Sequence, residues 1–242
     1  TIDTKVRFGL HTNLGYFEIF SPSTLLINNW YMITATYDGS VMKIYLNGQL
    51  QNSATINATI INANDNLYVG GDGVSTFIFN GLIDEPAVWN RALSSLEITS
   101  MFNAGAASLY YGLLAFWQLD NNTNDFLGKY NATTSVNITH TTGKFGQSAI
   151  FNGTSSRMIT DALTGIAGSN YLSISLWFNT AVYDEAILIS QYSTGIDNNA
   201  YYISLDQAGQ GSITFGVIHS QGDAGNQQGI SSINVYSLNV WN

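Results

Sequence analysis

Residues 28–50 read NNWYMITATYDGSVMKIYLNGQL, and this stretch limits the fold more than any other. Tyr31, Ile33, Ala35 and Tyr37 alternate with Trp30, Met32, Thr34 and Thr36, the period of two in which successive side chains leave a strand on opposite faces. Asp38-Gly39 then stands where a two-residue turn belongs, Val41 to Leu46 resumes, and Asn47-Gly48 closes the second strand with residues that tolerate positive φ. An antiparallel hairpin is predicted, and it needs further strands to cover its apolar face.

The rest of the chain supplies them. Strands are predicted at Asn66–Val69, Gly81–Trp89, Leu113–Leu119, Ser148–Phe151, Leu172–Phe178, Ile187–Gln191, Tyr201–Leu205 and Ile213–Ile218, all short, regularly spaced and rich in β-branched and aromatic residues. One helix is expected near 94–103, where Ser94 and Glu97 form a capping box ahead of Leu96, Ile98, Met101 and Phe102. Many strands with one short helix give an all-β fold, an antiparallel β-sandwich.

Composition narrows the partners. Charged residues are 10% of the chain, against roughly 25% in an average soluble domain, so Asn, Ser, Thr and Gly must form much of the polar surface. The net charge is −9 and no basic cluster meets phosphates, so nucleic acid is excluded as a partner. The absence of cysteine removes thiolate zinc sites and disulfides together. No run of 18 apolar residues occurs, so no membrane insertion is expected, and the first residues lack the basic start and apolar stretch of a secretion signal. The chain therefore reads as an interior piece of something larger. Five Asn-x-Ser/Thr sequons, at Asn57, Asn121, Asn131, Asn137 and Asn152, are candidate glycosylation sites of an extracellular or cell-surface protein, although a chain so rich in Asn and Thr also generates sequons by chance.

Catalysis needs a constellation, and none is visible. Asp84 and Glu85 in LIDEPAVW are immediate neighbours, which a regular strand sends to opposite faces, whereas glycosidase chemistry needs two carboxylates on one face. His11, His140 and His219 are scattered and read as structural. The run Asp120-Asn121-Asn122-Thr123-Asn124-Asp125 gathers the hard oxygen donors that calcium takes. It lacks the sixth-position glycine and twelfth-position glutamate of a helix-loop-helix site, and a solvated Asn-rich turn is the alternative. Tyr192, Tyr201 and Tyr202, with the loop STGIDNN, are candidates for a ligand rim that would meet glycans.

The segments GLLAFWQLDNNTNDFLGKYNAT, GKFGQSAIFNGTSSRMI and YLSISLWFNT resemble the first half of a laminin G-like, concanavalin A-like jelly roll. The segments NNWYMITATYDGSVMKIYLNGQL, NLYVGGDG and FNGLIDEPAVWNRALSSLEITSMFN resemble the second half of the same kind of domain. The resemblance implies core positions for Trp30, Trp117 and Trp177, and a structural calcium held by Asp120, Asp125 and Asp84. In this chain the second half comes first.

VRFGL at 6–10 is similar to ITFGV at 213–217, and Trp30 to Trp241, so about thirty residues occur twice. The predicted organisation is therefore residues 1–104 as the closing half of one repeat, a linker at 105–111, and 112–242 as the opening half of the next. Circular permutation of a single domain is the alternative. Each half alone would leave sheet edges open, so copies of the chain or neighbouring repeats are the expected partners, each sandwich being completed between neighbours in an array or filament. The expected function is a non-catalytic structural or adhesive repeat, with a carbohydrate-binding lectin-like module second and a glycan-cleaving enzyme third.

Overall fold

In a computed structural model, residues 3–22, 25–61, 65–71, 77–105, 109–166, 168–192 and 199–208 are described. They form fifteen strands and one helix. The first stretch carries β1 (Asp3–Thr12), β2 (Gly15–Phe20), β3 (Tyr31–Tyr37), β4 (Val41–Leu46), β5 (Gln49–Thr55), β6 (Leu67–Val69), β7 (Asn80–Trp89) and α1 (Ser95–Ala104). The second carries β8 (Leu113–Phe116), β9 (Thr134–Val136), β10 (Thr139–Thr142), β11 (Gln147–Asn152), β12 (Arg157–Thr160), β13 (Leu172–Asn179), β14 (Ala186–Tyr192) and β15 (Asn199–Ala208). The predicted strand Ile213–Ile218 lies outside the described residues.

Two antiparallel sheets form the sandwich. One runs β2-β1-β15-β14-β6-β12-β9, and the other β10-β11-β7-β13-β3-β4-β5, with β8 also paired to β7. The predicted hairpin is β3–β4, in register from Ile33↔Leu46 to Tyr37↔Met42. Asp38 shapes its turn by accepting from the N–H groups of Ser40 and Val41 through Oδ1.

Both sheets mix strands from the two stretches that the sequence reads as halves of successive repeats. β15 pairs with β1, β6 lies between β14 and β12, and β13 lies between β7 and β3. The strand that follows Trp30 has β13 on one side and β4 on the other, both from its own chain. Closure within the chain thus replaces the completion by a neighbouring chain expected for this strand. The two stretches build one sandwich rather than two half-domains.

β13 shows how the layers are filled. Leu172, Ile174, Leu176 and Phe178 enter the core between the sheets, while Trp177 enters a second cluster with Met32, Ala87, Trp89, Ile98 and Met101 beneath α1. A strand buried on both faces must satisfy its polar side chains internally. Ser173 Oγ accepts from the Leu93 N–H and donates to the Arg91 carbonyl, and Ser175 Oγ meets Thr34 Oγ at 2.9 Å. Of the tryptophans expected in the core, Trp117 lies between the sheets, Trp177 lies under the helix, and Trp30 is half-buried against the second cluster.

The helix starts where the capping box places it. The Glu97 N–H donates to Ser94 Oγ and the Ser94 N–H to Glu97 Oε2, while Arg91 grips both Glu97 oxygens at 2.6 and 3.0 Å. Hydrogen bonding from Arg91 first, then from Ser94, holds the Glu97 carboxyl down at about 2. A carboxyl lowered on folding stabilises above its ordinary range and loses that contribution as pH falls through the lowered value. Because Glu97 is partly exposed, Glu97→Gln should cost about 1 kcal/mol at pH 7. The difference from the unmodified chain in thermal unfolding should close as pH approaches 2.

Candidate functional site

The acidic residues lie on the outer face of the second sheet, and a bulge puts two of them there. β7 pairs with β13 through Asp84↔Trp177 and Ala87↔Ser175, with a register shift between them, and Glu85 takes a left-handed φ of 50° at the shift. The extra residue resets the alternation. Ile83 and Val88 face the main core, while Asp84, Ala87 and Trp89 face the α1 side. Glu85 reaches Gly105 at the end of α1, where a Cβ would stand 3.0 Å from Glu85 Oε2. The expectation that Asp84 and Glu85 point to opposite faces is therefore corrected, because it assumes a regular strand and this one is bulged.

Asp84 is fully buried. Its Oδ2 accepts from the N–H groups of Lys144 (2.7 Å) and Phe145 (2.9 Å), while its Oδ1 is buried with no hydrogen-bond partner. Burial, reinforced by the charges of Glu85 and Asp120, raises its pKa to about 7 despite the two N–H donors. Asp120 engages the same loop, accepting from the Gln147 N–H at 2.6 Å. Two glycines permit this. A Cβ on Gly143 would stand 2.6 Å from Asp84 Oδ2, and one on Gly146 would stand 2.3 Å from Asp120 Oδ1. The loop Gly143–Gln147 thus lies against both Asp84 and Asp120, and this GKFGQ glycine pair is the signal that spacing arguments about the aspartates overlook.

Asp125 does something else. Its Oδ1 accepts from the N–H groups of Phe116 and Leu127, and its Oδ2 from those of Lys129 and Tyr130. All its strong acceptor directions are used in folding residues 116–130 back on themselves, which also ends β8 at Phe116 rather than at the predicted Leu119. Asp125 does not join Asp84 and Asp120. Among the described residues, no group of three or more His, Asp or Glu side chains gathers as a metal centre.

The predicted ligand rim divides. Tyr201 is buried in the core with its hydroxyl donating to Gln191, because β15 alternates Tyr201, Ile203 and Leu205 inward. That removes it from any rim. Tyr202 faces outward, and the side chain of Tyr192 and residues 193–198 of the loop STGIDNN lie outside the described residues. Around Tyr202 stand residues that sequence reasoning passes over. The Tyr16 ring stacks at 6.2 Å, with its hydroxyl bonded to the Tyr202 hydroxyl and to the Glu18 carboxylate, and the Arg7 guanidinium lies 5.3 Å above the Tyr202 ring. Arg7 also pairs with Glu185 at 3.2 Å and donates to Ser204 Oγ, beside a hollow of about 150 Å³. Burial pushes the Tyr202 hydroxyl up to about 12, so it remains a proton donor at any ordinary pH. Three neighbouring strands assemble this face, and no linear spacing announces it.

All five sequon asparagines are exposed. Asn152 and Asn131 also cap their own loops, Asn152 Oδ1 by accepting from the N–H groups of Thr154, Ser155 and Ser156, and Asn131 Oδ1 from that of Asp125.

A two-sheet antiparallel sandwich with one short capped helix is the architecture that the sequence leads one to expect. Residues 2–99 match the family model Laminin_G_3, of the concanavalin A-like lectin/glucanases superfamily. No curated protein and no solved structure gives a match. The laminin G-like match covers β1 through β7 and the first half of α1. Domains of this superfamily are often extracellular and adhesive or lectin-like, and the laminin G-like ones are typically non-catalytic. Among the described residues, no helix is long and apolar enough to cross a membrane.

Proposed function

We propose that the chain is a non-catalytic structural or adhesive module of an extracellular or cell-surface protein, joined to further copies of its own sequence. The observation that carries this reading is the placement of the clustered acids. Asp84 and Glu85 are walled in by the Gly143–Gln147 loop and the end of α1, where they shape a junction and meet no open cleft. A polymer cannot reach carboxylates so placed, whereas glycosidase chemistry requires both to flank a bound sugar. Incubation with β-glucans should release no reducing ends, and turnover of any such polymer would overturn the assignment.

A carbohydrate-binding role is the second reading, favoured by the Tyr16–Tyr202 stack with Arg7 and Glu18 at its margin. An aromatic face beside charged hydrogen-bonding groups suits a pyranose. On a glycan array, competable binding that falls at least tenfold in Tyr202→Ala would promote this reading, and no competable binding would remove it.

We also propose calcium at the Asp84–Asp120 junction, without Asp125. The buried, unpartnered Asp84 Oδ1 supports it, because a carboxylate oxygen so placed lacks the cation or donor that its burial calls for. Asp84 and Asp120 would hold the ion, and its charge would neutralise theirs.

A further inference from the structure

The outer face of β15 carries an aromatic platform with a hollow beside it, and the two together select a ligand. Gly9 of β1 is opposite Tyr202, and a Cβ there would stand 2.7 Å from Tyr202 Cε1 and Cζ. With no side chain at position 9, the Tyr202 ring leans over β1 and meets the Tyr16 ring of β2, the two planes only 15° apart. A glycine inside a strand marks such a close approach. Two nearly parallel rings result, a surface on which the apolar face of a pyranose can rest.

Tyr202 is also one wall of the hollow, whose other walls are Phe77, Ile187, Arg7, Glu185 and Ser204. Its volume of about 150 Å³ decides what can enter. An apolar cavity of that size accepts a molecule as large as benzene. A substituent of a sugar fits, and a pyranose ring with its hydroxyls does not. The substituent must suit apolar walls and one ion pair. Arg7 Nη2 donates to Glu185 Oε1 at 3.2 Å and Arg7 Nε to Ser204 Oγ at 3.0 Å, so the described residues engage two of the five guanidinium donors.

Charge removes the ionised sugars. Glu18 stands 3.9 Å from Arg7 on the side away from Glu185, so two carboxylates flank one cation, while Lys5 and Asp206, cross-strand neighbours on the same face, add one charge of each sign. The carboxylate of an acidic sugar is repelled by this balance. An amino sugar's ammonium is attracted by the glutamates but loses its hydration among Phe77, Ile187 and Tyr202, next to Arg7. A bare hydroxyl leaves the apolar walls uncovered. An acetamido group meets every requirement: its methyl covers those walls, its carbonyl accepts from Arg7, and its N–H donates to Glu185.

We infer that the hollow is a subsite for the acetamido group of an N-acetylated hexosamine whose ring rests on Tyr202 and Tyr16. The inference rests on the carbohydrate-binding reading of this face and adds the class of sugar. Titration calorimetry of the full chain with three β-linked trimers, of N-acetylglucosamine, glucosamine and glucose, tests it. The acetylated trimer should bind about tenfold more tightly than either of the others, the discrimination that a filled apolar pocket supplies. Glu185→Ala should close most of that gap by removing the acceptor for the amide N–H. Gly9→Ala should weaken all binding, because its Cβ displaces the Tyr202 ring. Equal binding of the acetylated and glucose trimers, or tighter binding of the glucosamine trimer, would keep the sugar-binding face and overturn the acetamido subsite. A preference that survives Glu185→Ala in full overturns its place in this hollow. No binding of any trimer, with glycan-array binding that depends on Tyr202 still present, also overturns the subsite alone, whereas absence of both removes the carbohydrate reading with it.

Discussion

Asp125→Ala is expected to destabilise the protein by about 4 kcal/mol, the cost of orphaning two buried N–H donors at about 1–3 kcal/mol each with a smaller loss from two partly buried ones. The buried donors are Phe116 and Tyr130, and the partly buried ones are Leu127 and Lys129. One carboxylate replaces the regular secondary structure that residues 117–130 lack, so its loss frees the end of β8 and the Asn-rich turn together. Urea unfolding with an unchanged m-value would measure this. Asp125→Asn should recover less than half of the loss, because its amide turns two donors toward donors. The same series separates a clamp from a metal ligand. A clamp fails equally with and without calcium, whereas a ligand would lose only the calcium-dependent part.

The contrast between Asp125 and Asp84 shows how much of the site the sequence makes legible. Alternation and turn residues predict β3 and β4 within a residue, and the capping box predicts α1, because in each case the signal is local and the same residues make the structure. The short strands β2, β5, β9, β10 and β12 escape: β5, β9 and β10 are polar edge strands without an apolar alternation, and β12 pairs with β6, about ninety residues earlier in the chain. Asp125 reads as a metal ligand because its neighbours are oxygen-rich. What it binds instead is backbone N–H groups, which every residue but proline has and no sequence pattern displays.

Glu85 fails differently. Strand periodicity predicts its face correctly for a regular strand, but the bulge opposite Ser175–Trp177 lies in the relation between β7 and β13, strands about ninety residues apart. Closure is the third such case. Motif order leads to an expectation of two half-domains, yet whether the two stretches meet within one chain is a question of reach. The connection of residues 105–111 is short, and β7 and β13 lie side by side, so within this chain the halves meet.

The second large effect is expected at Asp84, as a stability that falls with rising pH. Its carboxyl rises on folding from 3.8 to about 7, chiefly by burial, so between those values the folded state holds a proton that the unfolded state has released. Stability must then decrease as pH rises through this window and level off above it. The full swing for one such group is about 4 kcal/mol, at about 1.4 kcal/mol for each pH unit. Glu97 works in the opposite direction, but its window lies below its ordinary value of 4.5, so the range from pH 4.5 to 7 belongs mainly to Asp84. In chelator, the unmodified chain should lose most of this swing between pH 4.5 and 8, and Asp84→Asn should remove the slope, leaving the variant more stable at pH 8 by up to about 4 kcal/mol. Calcium should reverse the order. An ion bound by the folded state alone stabilises by mass action, and one held by Asp84 needs that carboxyl ionised, so added calcium should raise the melting temperature at pH 8 far more than at pH 5 and leave Asp84→Asn unmoved. A melting temperature at pH 8 that ignores calcium would remove the ion from the junction, and a pH slope that survives Asp84→Asn would remove Asp84 as its cause.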